Sequence, residues 1–294
     1  MNAALRPLEG ITVLDLSRVL AGPYATQLLG DLGAEVWKVE RPGAGDETRA
    51  WGPPFVGEHS AYFLSVNRNK RSAALDFRDA EDLAAIRRAA LAADVVVENF
   101  LPGDLAPFGL DAASLRRERP ELIVCSITGY GQDGPYAALP GYDAVLQGFT
   151  GLQSVTGTPD GPPLKVGVAL IDVLTGAHAA SAILAALVGR LRGRGGAHLD
   201  VALAEVGSVL VLVVHGVPYM SRASWSRMNS DFSLRPMAEV VMRSTLGLWG
   251  SGLTLPALST VATAGSADVN DAVLPSMAAP SLAFGVAVSC FSSC

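Results

Sequence analysis

Between residues 11 and 127, short β-branched runs alternate with helical patterns, and this alternation restricts the fold more than any other feature of the chain. Ile11–Leu16, Glu35–Val39, Ser72–Asp76, Asp94–Val97 and Leu122–Ile127 read as strands. Between them, Tyr24–Leu32 and Ala80–Ala92 carry apolar residues at helical spacing, with Gly22-Pro23 as a start signal and Gly33 as a stop. Strand–helix repetition with almost continuously apolar strands implies parallel pairing under covering helices, an α/β fold. Ligands in such folds bind outside the carboxyl ends of the strands. The loops after Leu16, Val39, Asp76 and Val97 are therefore the expected site.

A second helical region follows. Tyr142–Phe149 reads as a short helix and Val173–Leu191 as a long buried one, closed by Arg190-Leu-Arg-Gly-Arg-Gly-Gly196, which sets cations near the helix end and then glycines. His198–Ala204 returns to strand-like alternation. After about Val206 the texture changes. No lysine follows Lys165, small and polar residues dominate residues 250–294, and no helical or strand period is sustained there.

Composition narrows the function classes. Half of the 294 residues are hydrophobic, enough for a substantial core. A net charge of −6 disfavours a general nucleic-acid binder, which needs a basic surface for phosphates. Three cysteines, Cys125, Cys290 and Cys294, suit a reducing compartment. The first residues lack an apolar signal core, and the most apolar run, Val206–Val214, falls short of the roughly 20 residues a bilayer span needs. The expectation is a cytoplasmic protein without a membrane or nucleic-acid partner.

Several residues have chemical potential. Asp172, in Val168-Ala-Leu-Ile-Asp-Val-Leu-Thr-Gly176, reads locally as a helix cap. It also reads as a carboxylate nucleophile, and the two roles are compatible. Gly129-Tyr-Gly-Gln-Asp-Gly-Pro135 with Gly141-Tyr-Asp143 is either an ordinary turn-rich loop or a place where backbone approaches a ligand. Asn67-Arg-Asn-Lys-Arg-Ser72, with Lys38 and Arg41, is either a solvated basic patch or a phosphate contact at strand ends. No GxGxxG follows the first strand, and no P-loop, HExxH or GxSxG occurs. His59, His178, His198 and His215 share no metal-ligand spacing, so no metal site is expected.

Taken in order, these pieces resemble the family III CoA-transferases, the CaiB–BaiF group. The resemblance rests on Leu8-Glu-Gly-Ile-Thr-Val-Leu-Asp15, Arg18-Val-Leu-Ala-Gly-Pro23, Leu32-Gly-Ala-Glu-Val-Trp-Lys-Val-Glu-Arg41 and Asn67-Arg-Asn-Lys-Arg-Ser72. It continues through Ala93-Asp-Val-Val-Val-Glu-Asn-Phe100, Ser126-Ile-Thr-Gly-Tyr-Gly-Gln-Asp-Gly-Pro135, Gly141-Tyr-Asp143, Asp172-Val-Leu-Thr-Gly176, Gly193-Arg-Gly-Gly196 and Asp200-Val-Ala-Leu203. It implies a Rossmann-like parallel sheet with covering helices and a transferase that moves CoA from an acyl-CoA to a small carboxylic acid. Asp172 would carry the acyl group and then CoA as an aspartyl thioester. Coenzyme A and acyl-CoA enter as substrates, with no prosthetic group. Arg41 and the turn Leu75, Asp76, Phe77, Arg78 would bind the nucleotide end of CoA, together with Asn99, Phe100 and Leu101. Tyr142 and Asp143 would line the thioester end beside Asp172, with Leu20 and Ala21 at the start-of-helix loop. The family also implies an interlocked homodimer.

Three departures matter. Formyl-CoA transferases carry glutamine where Leu20 stands, which makes formyl-CoA and oxalate less fitting substrates. Pro107 stands where some members have a CoA-contacting arginine. The alternative within the superfamily, a 2-methylacyl-CoA racemase, carries histidine where this chain has Tyr142, so the general base is lacking. The motif resemblance ends near residue 206. The expected organisation is a large domain over 1–206 with the CoA loops and nucleophile. An atypical tail would follow over 207–294, a frameshifted or truncated remnant of the small domain, with a catalytically inactive chain as a further alternative.

Overall fold

A computed structural model describes residues 6–158 and 160–219. The elements run β1 (Thr12–Asp15), α1 (Ala21–Asp31), β2 (Glu35–Glu40), a short hairpin of β3 (Phe55–Val56) and β4 (His59–Ser60), α2 (Ala61–Asn67), β5 (Lys70–Ala74) and α3 (Ala80–Ala92). They continue with β6 (Val95–Glu98), α4 (Ala112–Glu118), β7 (Ile123–Thr128), α5 (Asp143–Phe149), α6 (Leu170–Leu191), β8 (His198–Ala202) and α7 (Leu203–Tyr219). Six strands pair in parallel in the order β5-β2-β1-β6-β7-β8. The chain thus builds outward from β1 to β5, then crosses back to β6 and builds the other way. The crevice outside the carboxyl ends of β1 and β6 is the topological switch point where such sheets bind ligands.

Strand side chains alternate between two cores, as the period of two requires. Val13, Val95, Val97, Ile123, Cys125 and Ile127 join α1, α6 and α7 on one face. Leu14, Val96, Leu122 and Val124 join Ile86 and Ala90 of α3 and Leu115 of α4 on the other. Both faces are covered, which explains the nearly continuous apolar runs.

The differences from the sequence expectations have local causes. β5 ends at Ala74 because Asp76 turns the chain, its carboxylate accepting from Arg78 N at 2.9 Å. The helices α2 and α4, unread in the sequence, have seven residues each, too few to show a period, and are set by caps instead. Ser60 Oγ accepts from Phe63 N, and Asp111 Oδ1 from Ser114 N. Helix α6 begins at Leu170, ahead of the expected Val173, so Asp172 lies inside its first turn.

Helix α6 is long and apolar enough to cross a membrane by length and composition. Here, Ile171, Ala179, Ala180 and Ile183 are buried in the core, and Gly176 lets α1 approach closely. A Cβ on Gly176 would lie 2.5 Å from Ala21 O. Helix α7 continues through residue 206, where the sequence texture changes. From residue 220 onward, the tail expected over 207–294 lies outside the described residues.

Candidate active site

All four loops expected at the carboxyl strand ends line two adjoining hollows. One, of about 200 Å³, is bordered by Val19, Leu20 and Ala21 after β1, Asn99, Phe100 and Leu101 after β6, Gly129, Gly141, Tyr142 and Asp172. The other, of about 580 Å³, is bordered by Arg41 after β2, Leu75, Asp76, Phe77 and Arg78 after β5, and Phe108. Arg18, Glu47, Phe100 and Asp104 border both. Of the thirteen candidates from the sequence, twelve line this cleft; Asp143 alone lines neither hollow and lies buried beneath Asp172. The second hollow has an aromatic floor: Phe77 packs against Phe100 and Phe108, each at a ring distance of 5.7 Å.

The local chemistry of Asp172 differs from the helix-cap reading. No side chain caps α6 at Ala169. The capping carboxylate belongs to Asp143, whose Oδ1 accepts from Ile171 N at 2.7 Å and from Asp172 N at 3.2 Å. Its Oδ2 accepts from Gln147 Nε2 at 2.5 Å. Asp172 is the third helical residue and needs no such bond, so its partly buried carboxylate accepts none from the described residues. Burial, and then the charge of Asp143, push its pKa up to about 7. Asp172 is a carboxylate held by its helix and, among the described residues, left without a donor.

Two glycines of the expected loop meet backbone to backbone here. A Cβ on Gly129 would lie 2.6 Å from Gly141 Cα, so neither position has room for a side chain. This crossing brings the loop after β7 against the entry to α5, which carries Tyr142 and Asp143. Tyr142 is 62% exposed on the rim.

A buried polar network lies under the cleft, and the sequence revealed little of it. The Glu40 carboxylate takes both a 2.6 Å and a 2.8 Å bond from Arg49, with Ser72 Oγ and Asp46 N as further donors. Burial would raise its pKa, but these donors outweigh it and hold it at about 2. Asp15 pairs with Lys70 at 3.0 Å. Burial opposes its ionisation too, and Lys70, Lys38, Ser17 and Thr26 hold it well below the usual carboxylate range. Lys38 is buried against Asp46 at 3.0 Å, so it does not reach the surface where phosphates would meet it. The basic run 67–72 does not line the cleft either: Arg68 pairs with Asp31 and Arg71 with Glu35, while Lys70 turns inward to Asp15. Tyr62 in α2 was also unread. Burial, then the charges of Asp172, Asp143 and Asp46, raise its pKa to about 12, so its phenol stays protonated.

Fold and site together define an α/β protein with a switch-point cleft and, at one end, a carboxylate that accepts no hydrogen bond from the described residues. Comparison with known proteins specifies this class. The sequence profile of CoA-transferase family III matches residues 8–235, which extends past residue 206. The chain is 53% identical over 211 residues to a succinate–glutarate CoA-transferase of Agrobacterium fabrum, covering 70% of this chain and 53% of that one. It is 52% identical to the human succinyl-CoA:glutarate CoA-transferase, covering 67% of this chain and 45% of the relative. A crystal structure of a CaiB/BaiF family protein from Brucella suis superposes with a TM-score of 0.70 at 48% identity, covering 74% of this chain and 58% of that one. This chain belongs to CoA-transferase family III. Its matched segment spans about half the length of the relatives.

Proposed function

We propose that this chain carries the CoA-binding and nucleophile-bearing part of a CoA-transferase acting through Asp172. The observation that supports it is the carboxylate of Asp172, without a donor among the described residues, at the end of a cleft whose other end offers Arg41, Arg78 and an aromatic floor. Guanidinium groups suit the phosphates of CoA, and the aromatic rings suit its base. Ionised Asp172 attacks the thioester carbonyl of R–CO–S-CoA, forming a mixed aspartyl–acyl anhydride and releasing CoA thiolate. The thiolate then attacks the aspartyl carbonyl, giving an aspartyl-CoA thioester and R–COO⁻. An acceptor carboxylate attacks that thioester, and the returning thiolate takes the new acyl group, restoring Asp172. Each bond broken is matched by one formed, so no water or redox partner enters. The partly buried setting of Asp172 suits the anhydride, which must be kept from hydrolysis.

Succinyl-CoA with glutarate is the first donor–acceptor pair to test, given what the named relatives act on. The purified full chain is mixed with succinyl-CoA, treated with hydroxylamine, and digested for mass spectrometry. The expected result is a hydroxamate at Asp172, absent in Asp172→Asn. A hydroxamate elsewhere, or equal labelling of the variant, would refute the assignment.

A further inference from the structure

Four backbone groups of the loop entering α1 are held by side chains from other parts of the fold. Lys38 Nζ donates to Ser17 O at 2.7 Å. Asn99 grips Arg18 from both sides, its Oδ1 accepting from Arg18 N at 3.0 Å and its Nδ2 donating to Arg18 O at 2.8 Å. Asp46 Oδ2 accepts from Val19 N at 3.3 Å and pairs with Lys38 at 3.0 Å. The side chains of Lys38 and Asp46 are each only 1% exposed. These grips come from β2, from the loop after it and from the end of β6, so they span the switch point.

The residue they enclose is strained. Val19 has φ of +70°, a left-handed conformation that β-branched side chains rarely adopt. Such strain persists only where the surroundings over-determine it. A fold of this kind gains little stability from a buried ion pair compared with apolar residues in its place. Here the pair is spent on one loop, and the residues that follow the strained position, Leu20 and Ala21, line the same hollow as Asp172. The opposite wall is fixed as well, because Gly176, one helical turn beyond Asp172, seats α6 against Ala21 O.

We propose that Asn99 and the Lys38–Asp46 pair are positioning residues for the transfer reaction, clamping Arg18 and Val19 so that Leu20 and Ala21 stand at a set distance across the hollow from Asp172. This rests on the reading of Asp172 as the nucleophile. Asn99, which also lines the hollow, thus acts on the reaction through the loop.

The test uses the full chain and two readouts. Hydrogen exchange measured by mass spectrometry on the peptide containing Arg18 and Val19 reports the clamp without any need for turnover. The rate of hydroxylamine-trapped adduct at Asp172 with succinyl-CoA reports its consequence. In Asn99→Ala, exchange in that peptide should rise at least about tenfold as the Arg18 bonds are lost. Adduct formation at saturating donor should fall about a hundredfold, the effect expected of a small misplacement, with a smaller change in the donor concentration for half-maximal rate. Adding Val19→Gly should recover about tenfold of that loss, because glycine adopts the left-handed conformation without the clamp. Asn99→Asp keeps the acceptor for Arg18 N and loses the donor, and should fall between the unmodified chain and Asn99→Ala. It supplies the answer if the alanine variant does not fold. Unchanged exchange, or an unchanged adduct rate in a variant whose peptide has been released, would overturn the proposal. So would a defect confined to donor affinity that Val19→Gly leaves untouched, since a lost CoA contact behaves that way. No adduct in the unmodified chain overturns the transfer reaction and this role with it, while the exchange data still decide the clamp.

Discussion

Replacing Asp172 by asparagine should stabilise the fold while abolishing the covalent adduct, and the gain should depend on pH. The carboxyl pKa is raised from the ordinary 3.8 to about 7, first by burial and then by Asp143. At 1.36 kcal/mol per pKa unit, ionisation costs at most about 4 kcal/mol more in the folded than in the unfolded chain. The side chain is only partly buried, and water screening reduces this to about 1–2 kcal/mol. The sign follows from linkage. Between about pH 4 and 7 the folded state keeps a proton that the unfolded state has lost, so this group's contribution to stability falls as pH rises through that window. Above about pH 7 the penalty is complete and constant. The neutral amide of the Asp172→Asn variant carries no such penalty. Urea denaturation of both proteins at pH 4 and pH 8 is the assay. The variant should match the unmodified chain at the lower pH and exceed it by about 1–2 kcal/mol at the higher. An equal difference at both pH values, or a less stable variant at pH 8, would refute the claim that burial and Asp143 oppose ionisation of the carboxyl at this position.

Other perturbations separate the remaining parts. Asp143→Asn removes the neighbouring charge, so Asp172 ionises more readily and the pH midpoint of adduct formation should move below about 7; the weakened cap should cost about 1 kcal/mol in urea denaturation. Gly176→Ala places a methyl 2.5 Å from Ala21 O and should destabilise the chain by about 1–3 kcal/mol, read as a lower urea midpoint. Arg41→Ala should weaken CoA binding about tenfold by titration calorimetry, with the difference shrinking at high salt.

The architecture was legible because it is written in two periods. Alternation of β-branched runs with helical spacing gives a parallel sheet, and Ala80–Ala92 even has the expected ends. The four expected ligand loops all face the cleft, since parallel strands place their carboxyl ends on one side by topology. What the periods do not contain was missed. The short helices α2 and α4 depend on single capping side chains, Lys38–Asp46 depends on a contact between β2 and the loop after it, and Lys70–Asp15 on a contact between β5 and β1. A lysine in a sequence looks like surface charge, and only the sheet register shows that Lys38 and Lys70 point inward to meet carboxylates.

The two aspartates at the Asp172 end of the cleft show the same limit more sharply. Local pattern makes Asp172 a cap, because an acidic residue ahead of an apolar run is the commonest sign of a helix start. The helix in fact starts earlier, at Leu170, and its cap comes from Asp143 on another helix, 29 residues away. A cap taken from afar does two things that a local one cannot. It ties α5 to α6 through Ile171 N and Asp172 N, and it sets a fixed negative charge beneath Asp172. If Asp172 capped its own helix, its oxygens would be engaged by amide donors and its pKa lowered, both of which weaken a nucleophile. Handing the cap to Asp143 leaves the Asp172 oxygens without a donor among the described residues and raises the energy of their charge, which suits a carboxylate that is to react once ionised. The division of labour between the two residues therefore carries the functional reading further than the presence of either one.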